Sequence, residues 1–155
     1  MENRMDTMLA TNADAQLVLK LYELRTEAGM RVARKWVTSQ FRPQSAQDCL
    51  NILRAYGSAE CGYLRQVESY WEMAAAFVLR GALDADLFLA CNSENLFVLA
   101  KFHPFLEEIR AEAPGFFTRT EELTVKFSGA RRRMEEMIRV QEMRRSQENP
   151  QPVEG

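Results

Sequence analysis

Between residues 59 and 80 the chain places Leu64, Val67, Trp71, Ala74, Ala75 and Val78 within one arc of a helical wheel. Tyr63, Tyr70 and Phe77 widen that arc on one side and Leu79 on the other. In a strand these residues would alternate between two faces, so the spacing belongs to a helix. A single neighbour cannot cover so wide an apolar surface, and the segment must lie at the centre of several others. Composition agrees: Ala, Leu, Glu, Arg and Met supply 75 of the 155 residues, whereas Val and Ile supply 12. Helix formers dominate and a β fold is excluded. The expected fold is all-α, a single-domain bundle of five or six helices with the third, 59–80, at its centre and a long helix at the C-terminal end.

Punctuation along the chain divides it accordingly. Thr11-Asn12-Ala13-Asp14, Ser45-Ala46-Gln47-Asp48 and Thr118-Arg119-Thr120-Glu121 each have the form of a capping box, in which a hydroxyl and a carboxylate three residues apart satisfy free N–H groups at a helix start. The first opens a stripe of Leu17, Leu21, Leu24, Ala28, Val32 and Trp36 that runs to about Gln40, with Gly29 as a weak point. Arg42-Pro43 ends it, and Gly57, Gly81, Pro104 and Pro114-Gly115 mark later breaks. The third box predicts one continuous helix from Thr118 to about Ser146. Residues 1–11 are expected to be a flexible N-terminus, 12–146 the helical domain and 147–155 a disordered tail rich in polar residues and proline.

Several chemistries are excluded by residue supply. His103 is the only imidazole, which removes every site needing two His ligands, and Cys49, Cys61 and Cys91 form no CxxC pair. No glycine-rich phosphate loop is present, so no catalytic, cofactor-binding or metal-ligating residue is assigned, and no cofactor is called for. The longest stretch free of Asp, Glu, Lys and Arg is seven residues, against the ~20 apolar residues of a membrane span. The N-terminus, acidic at position 2 and without an apolar core, does not read as a signal peptide, and the expected location is cytoplasmic.

The run Tyr70-Trp71-Glu72-Met73-Ala74-Ala75, followed by Gly81-Ala82-Leu83-Asp84, Leu87-Phe88 and the Pro104-Phe105-Leu106 to Arg110 segment, resembles a widespread bacterial family of small all-helical proteins of unknown function. Ala13 to Leu17 and Leu21 to Arg25 fit the same pattern, so the resemblance covers residues 13 to about 125. It implies an all-α fold and assigns no activity. Some relatives are tethered to membranes by an N-terminal helix, a segment not read here.

Three constellations remain. Glu68 and Glu72 flank Trp71 on the central helix, with Glu68 inside the apolar arc and Glu72 at its border. A carboxylate so placed needs a partner. An inter-helix ion pair with Arg25 or Arg110 is the favoured reading over an acid–base pair, and Glu68, Trp71, Glu72 and Arg110 form the candidate buried polar or ligand site. Arg131, Arg132, Arg133 and Arg139, with Arg144 and Arg145, give the segment 126–147 seven basic against three acidic residues, in a chain whose formal charge is −2. That is a candidate nucleic-acid contact, not favoured because consecutive arginines point in different directions around a helix. Finally, a helix from Thr118 to Arg145 would extend about 42 Å at 1.5 Å per residue and overhang its own domain. Met134, Met137 and Ile138 are therefore the candidate interface of a homodimer. The preferred function is a non-enzymatic protein acting through protein contacts, with self-association first. A nucleic-acid-binding or regulatory protein is the alternative, and an enzyme or small-ligand binder using Glu68 and Glu72 comes third.

Overall fold

The computed structural model describes residues 9–150 and residue 152. Its elements are α1 (Asn12–Thr26), α2 (Ala28–Lys35), a π-helical turn (Trp36–Gln40), α3 (Ala46–Arg54), α4 (Ala59–Leu79), α5 (Ala85–Cys91), α6 (Glu94–Phe102), a 3-10 turn (His103–Phe105), α7 (Leu106–Glu112), α8 (Thr118–Lys126) and α9 (Ser128–Glu148). Among the described residues there is no strand. The chain is an all-α single domain.

The wide arc is covered as its width requires. Helix α4 buries Leu64, Val67, Trp71, Ala74, Ala75 and Val78, and α2, α3 and α8 pack around it. A second layer is built on α6, which buries Leu96, Val98, Leu99 and Phe102 and lies against α8 and α9. Between the layers Phe102 stacks on Phe117 at 5.9 Å and meets Phe116 edge-on at 5.2 Å. Among the described residues no helix is long and apolar enough to cross a membrane.

Most helix ends follow the sequence. Thr11 and Asp14 form the reciprocal box, and the Asp14 carboxylate also accepts the Asp84 N–H at 2.9 Å, tying the start of α1 to that of α5. Ser45, Ser58 and Asp84 cap α3, α4 and α5 by accepting the N–H groups of Asp48, Cys61 and Leu87. At the end of α4, the Ala82 N–H reaches the Phe77 carbonyl (2.9 Å) and the Gly81 N–H that of Val78 (3.1 Å), with Gly81 at φ +77°. These two bonds form a Schellman stop.

The structure corrects several expectations. The first stripe breaks at Glu27 (φ −59°, ψ 149°), two residues before Gly29, and ends in the π turn. Thr118 is not a cap; its hydroxyl donates to the Gly115 carbonyl, and the residue before α8 is Phe117 at φ +51°. The C-terminal helix is not continuous, since Phe127 adopts an extended conformation (φ −116°, ψ 119°) between α8 and α9. The bend has an apolar cause: it turns Ala130, Met134, Met137 and Ile138 onto the rest of the domain. Met134 is only 6% exposed, and Met137 and Ile138 are partly buried against the core, so the overhang that singled out these residues does not form. Helix α9, of 21 residues, spans about 31 Å. It includes Gln147 and Glu148, which the sequence assigned to the tail. The expected flexibility of residues 1–8 and of 151 and 153–155 falls outside the described residues.

Candidate functional site

The two carboxylates of α4 meet the start of α8. Glu72, 5% exposed, accepts the Arg119 N–H (3.0 Å) on one oxygen and both the Thr120 N–H (2.8 Å) and the Thr120 hydroxyl (2.8 Å) on the other. The Arg119 guanidinium stands 3.9 Å away. Glu68 is half-buried, and its one hydrogen bond among the described residues is a long one, from the Phe117 N–H at 3.5 Å. Burial pushes the Glu68 carboxyl above its ordinary range; the Phe117 N–H offsets part of this and the Glu72 charge adds to it. Phe117 is in the left-handed region and offers α8 no side-chain cap. Glu72 supplies from another helix what the local sequence lacks.

The carboxylates are therefore held chiefly by backbone N–H groups, and the arginine paired with Glu72 is Arg119 in place of the expected Arg25 or Arg110. Arg110 holds the same loop from its other side, donating Nε–H to the Phe116 carbonyl and an Nη1–H to Glu121, both at 2.9 Å. Arg25 is engaged elsewhere: its guanidinium lies over the Trp71 ring at 5.9 Å and the Tyr22 ring at 5.2 Å. Trp71 is fully buried and packs edge-on against Tyr70 at 4.8 Å. Glu68, Glu72 and Arg110 thus converge on the segment 113–121, the loop after α7 and the first turn of α8, while Trp71 belongs to the core beside α1. A cleft beside the start of α8 is lined by Ala76, Leu79, Arg80, Arg119 and Glu122, and neither carboxylate lines it. The group acts as a clamp on α8.

Half of the candidate nucleic-acid arginines are committed to backbone carbonyls. Arg131 donates to those of Thr124 (3.2 Å) and Val125 (2.7 Å) at the end of α8, and Arg133 donates to that of Leu89 at the end of α5. Arg132 and Arg139 are exposed.

A different basic surface is assembled by the fold. Three adjoining clefts that share Thr38 run from α2, across the π turn, to the last turns of α9. Seven basic side chains line them, Arg31, Arg34, Lys35, Arg42, Lys101, Arg144 and Arg145, against two acidic ones, Glu94 and Glu148. A chain of net charge −2 thereby gathers a strongly positive groove. Arg34 is held in a two-pronged pair by Glu94 (2.8 and 2.5 Å), and this hydrogen bonding raises its already high pKa. Arg42 and Gln44 hold the carboxylate of Glu148. The Arg144 guanidinium lies 5.1 Å above the Phe97 ring. Hydroxyls of Thr38 and Ser39 line the middle of the groove.

Lys101 forms the floor. Its ammonium is buried and donates to the carbonyls of Val37, Thr38 (3.2 Å) and Phe41 (2.8 Å), the groups left free where the π turn ends. Burial, together with the charges of Arg144 and Arg42, pushes Lys101 down to about 8. The enclosed space above it is about 20 Å³, room for about one water. The groove is accordingly an open surface and not an enclosed pocket. Arg144 and Arg145 were legible as basic residues, but Arg31, Arg34, Lys35, Arg42 and Lys101 carried no sequence signal that joined them.

A family model described as "Domain of unknown function (DUF4760)" matches residues 10–127. No curated protein and no solved structure matches the chain.

Proposed function

The chain belongs to this family of unknown function, and we propose from its own geometry that it is a non-enzymatic, cytoplasmic binding domain whose groove docks an acidic segment of a partner protein. The observation that carries this reading is the gathering of seven basic side chains from α2, the loop after the π turn, α6 and α9 into one stripe. Two features favour carboxylates over the phosphates of a nucleic acid. Arg34 and Arg42 already pair with the carboxylates of Glu94 and Glu148, Arg34 through both prongs of its guanidinium and Arg42 through one N–H, so the groove's cations are placed to hold that group. Phe97 lies under Arg144, leaving that ring covered where a base would need to stack. A second copy of the chain is the first partner to test, because α7 exposes Glu107 and Glu108. This keeps the homodimer expected from sequence but moves its contact away from Met134, Met137 and Ile138.

The test is fluorescence anisotropy with a labelled hexaglutamate peptide and, in parallel, a short DNA duplex, together with sedimentation of the chain alone at low and high salt. The peptide should bind, bind less well as salt rises, and lose at least about tenfold in affinity, the equivalent of 1.4 kcal/mol, in an Arg144→Glu, Arg145→Glu double variant. Binding of the duplex alone would hand the groove to nucleic acid. Binding of neither probe, with no salt-sensitive self-association, would remove the groove reading.

A further inference from the structure

Glu148 is the last residue of α9, and both of its carboxylate oxygens are engaged at the end of the groove. One oxygen takes an N–H of Arg42 and the other the side-chain amide of Gln44 at 3.2 Å. This is how a carboxylate of an acidic partner would be held, one charged and one neutral donor spread across two oxygens. We propose that Arg42 and Gln44 form a carboxylate-binding subsite of the groove and that Glu148 is its built-in occupant, displaced when an acidic peptide docks. The inference rests on the groove reading above and adds its regulation.

The end of α9 is suited to such exchange. Beyond Gln141, the last buried residue of the helix, every residue up to Glu148 is exposed except the half-buried Arg145. Few contacts are lost when the last turn, beyond Arg145, opens, because Ser146, Gln147 and Glu148 are all exposed, and terminal helical turns are the part of a fold that opens most readily. While closed, the tethered carboxylate competes at the high effective concentration of an intramolecular group. Apparent affinity for the peptide is therefore reduced by the fraction of molecules in which the subsite is occupied. Opening also frees Arg42, adding a guanidinium to the groove.

The test compares hexaglutamate binding to the full chain, Glu148→Ala, Glu142→Ala, Arg42→Ala and the Glu148→Ala, Arg42→Ala double variant. Glu142 is exposed on the same helix and controls for a simple change of charge. The expected result is a tightening of about three- to tenfold for Glu148→Ala and little change for Glu142→Ala. The gain should vanish when Arg42 is also replaced. Hydrogen exchange should show the amides of the last turn, 147–149, opening when the peptide binds to the wild-type chain, while those up to Arg145 stay protected. Equal affinity of Glu148→Ala and wild type, equal tightening by Glu142→Ala, or a gain that survives Arg42→Ala overturns the proposal while leaving the groove in place. Failure of every form to bind overturns both.

Discussion

Glu68 and Glu72 are one turn apart on the same helix, yet their surroundings give them opposite effects on stability. Glu72 satisfies three donors at the start of α8, and removing it strands buried N–H groups. Glu72→Ala should therefore lower stability by about 2–4 kcal/mol in urea denaturation at neutral pH. Glu68 is half-buried with one long hydrogen bond, and Glu68→Gln should be neutral or stabilising. The sign follows from its raised pKa: the folded chain holds that proton more tightly than the unfolded chain, so the charged form weakens the fold at neutral pH. That penalty fades as pH falls through the raised pKa toward 4.5, and the advantage of Glu68→Gln over wild type should shrink between pH 7 and pH 4.5. Trp71→Ala should cost about 3–5 kcal/mol, as expected for a fully buried indole. The helical wheel located this carboxylate pair but took Glu68 for the more buried member and an arginine for its partner. The partners are chiefly the backbone amides of residue 117 for Glu68 and of residues 119 and 120 for Glu72, which carry no sequence signature.

At the scale of elements, the arginine-rich composition serves helix termination as much as surface charge. Arg31 and Arg34 donate to the carbonyls of Thr26 and Arg25 at the end of α1, Arg65 to that of Leu53 near the end of α3, and Arg131 to those of Thr124 and Val125 at the end of α8. Each places a cation where free carbonyls and the negative end of the helix dipole coincide. This explains how the chain turns sharply at Glu27 and Phe127 with neither glycine nor proline there, and why sequence reading missed both breaks. Where a turn does depend on glycine, the signal was plain. Gly81→Ala should cost on the order of 1–2 kcal/mol, because φ +77° is strained for any side chain. Gly62→Ala, inside α4 with nothing within 4 Å of the added methyl, should stabilise by about 0.4–1 kcal/mol. Arg131→Ala should lower the free energy of unfolding by about 0.5–1 kcal/mol, while the exposed Arg132→Ala should leave it unchanged.

For the molecule as a whole, the partition between fold and groove runs through α9. The family match ends at residue 127, where the chain bends, yet α9 is not an appendage. Its first half buries Ala130 and Met134, packs Met137 and Ile138 against the core, and sends Arg133 to the end of α5. The second half contributes Arg144, Arg145 and Glu148 to the groove. The central stripe of α4 made the all-α core readable from sequence, because its spacing needs no knowledge of neighbours. The groove was not readable, because residues as far apart as Arg42 and Glu148, 106 positions, meet only after folding. Two truncations separate the halves. A chain ending at residue 127 uncovers α6 and loses apolar burial on the order of 5 kcal/mol, a large part of the 5–15 kcal/mol that holds a typical domain together. It should unfold at much lower urea or lose its cooperative transition, and should bind a dye that reports exposed apolar surface. A chain ending at Gln141 keeps the buried half of the helix and should unfold close to the full chain, while its affinity for hexaglutamate falls with the loss of Arg144 and Arg145. If the chain ending at 127 unfolds at the same urea concentration as the full one, α9 contributes nothing to the core and the division drawn here is wrong.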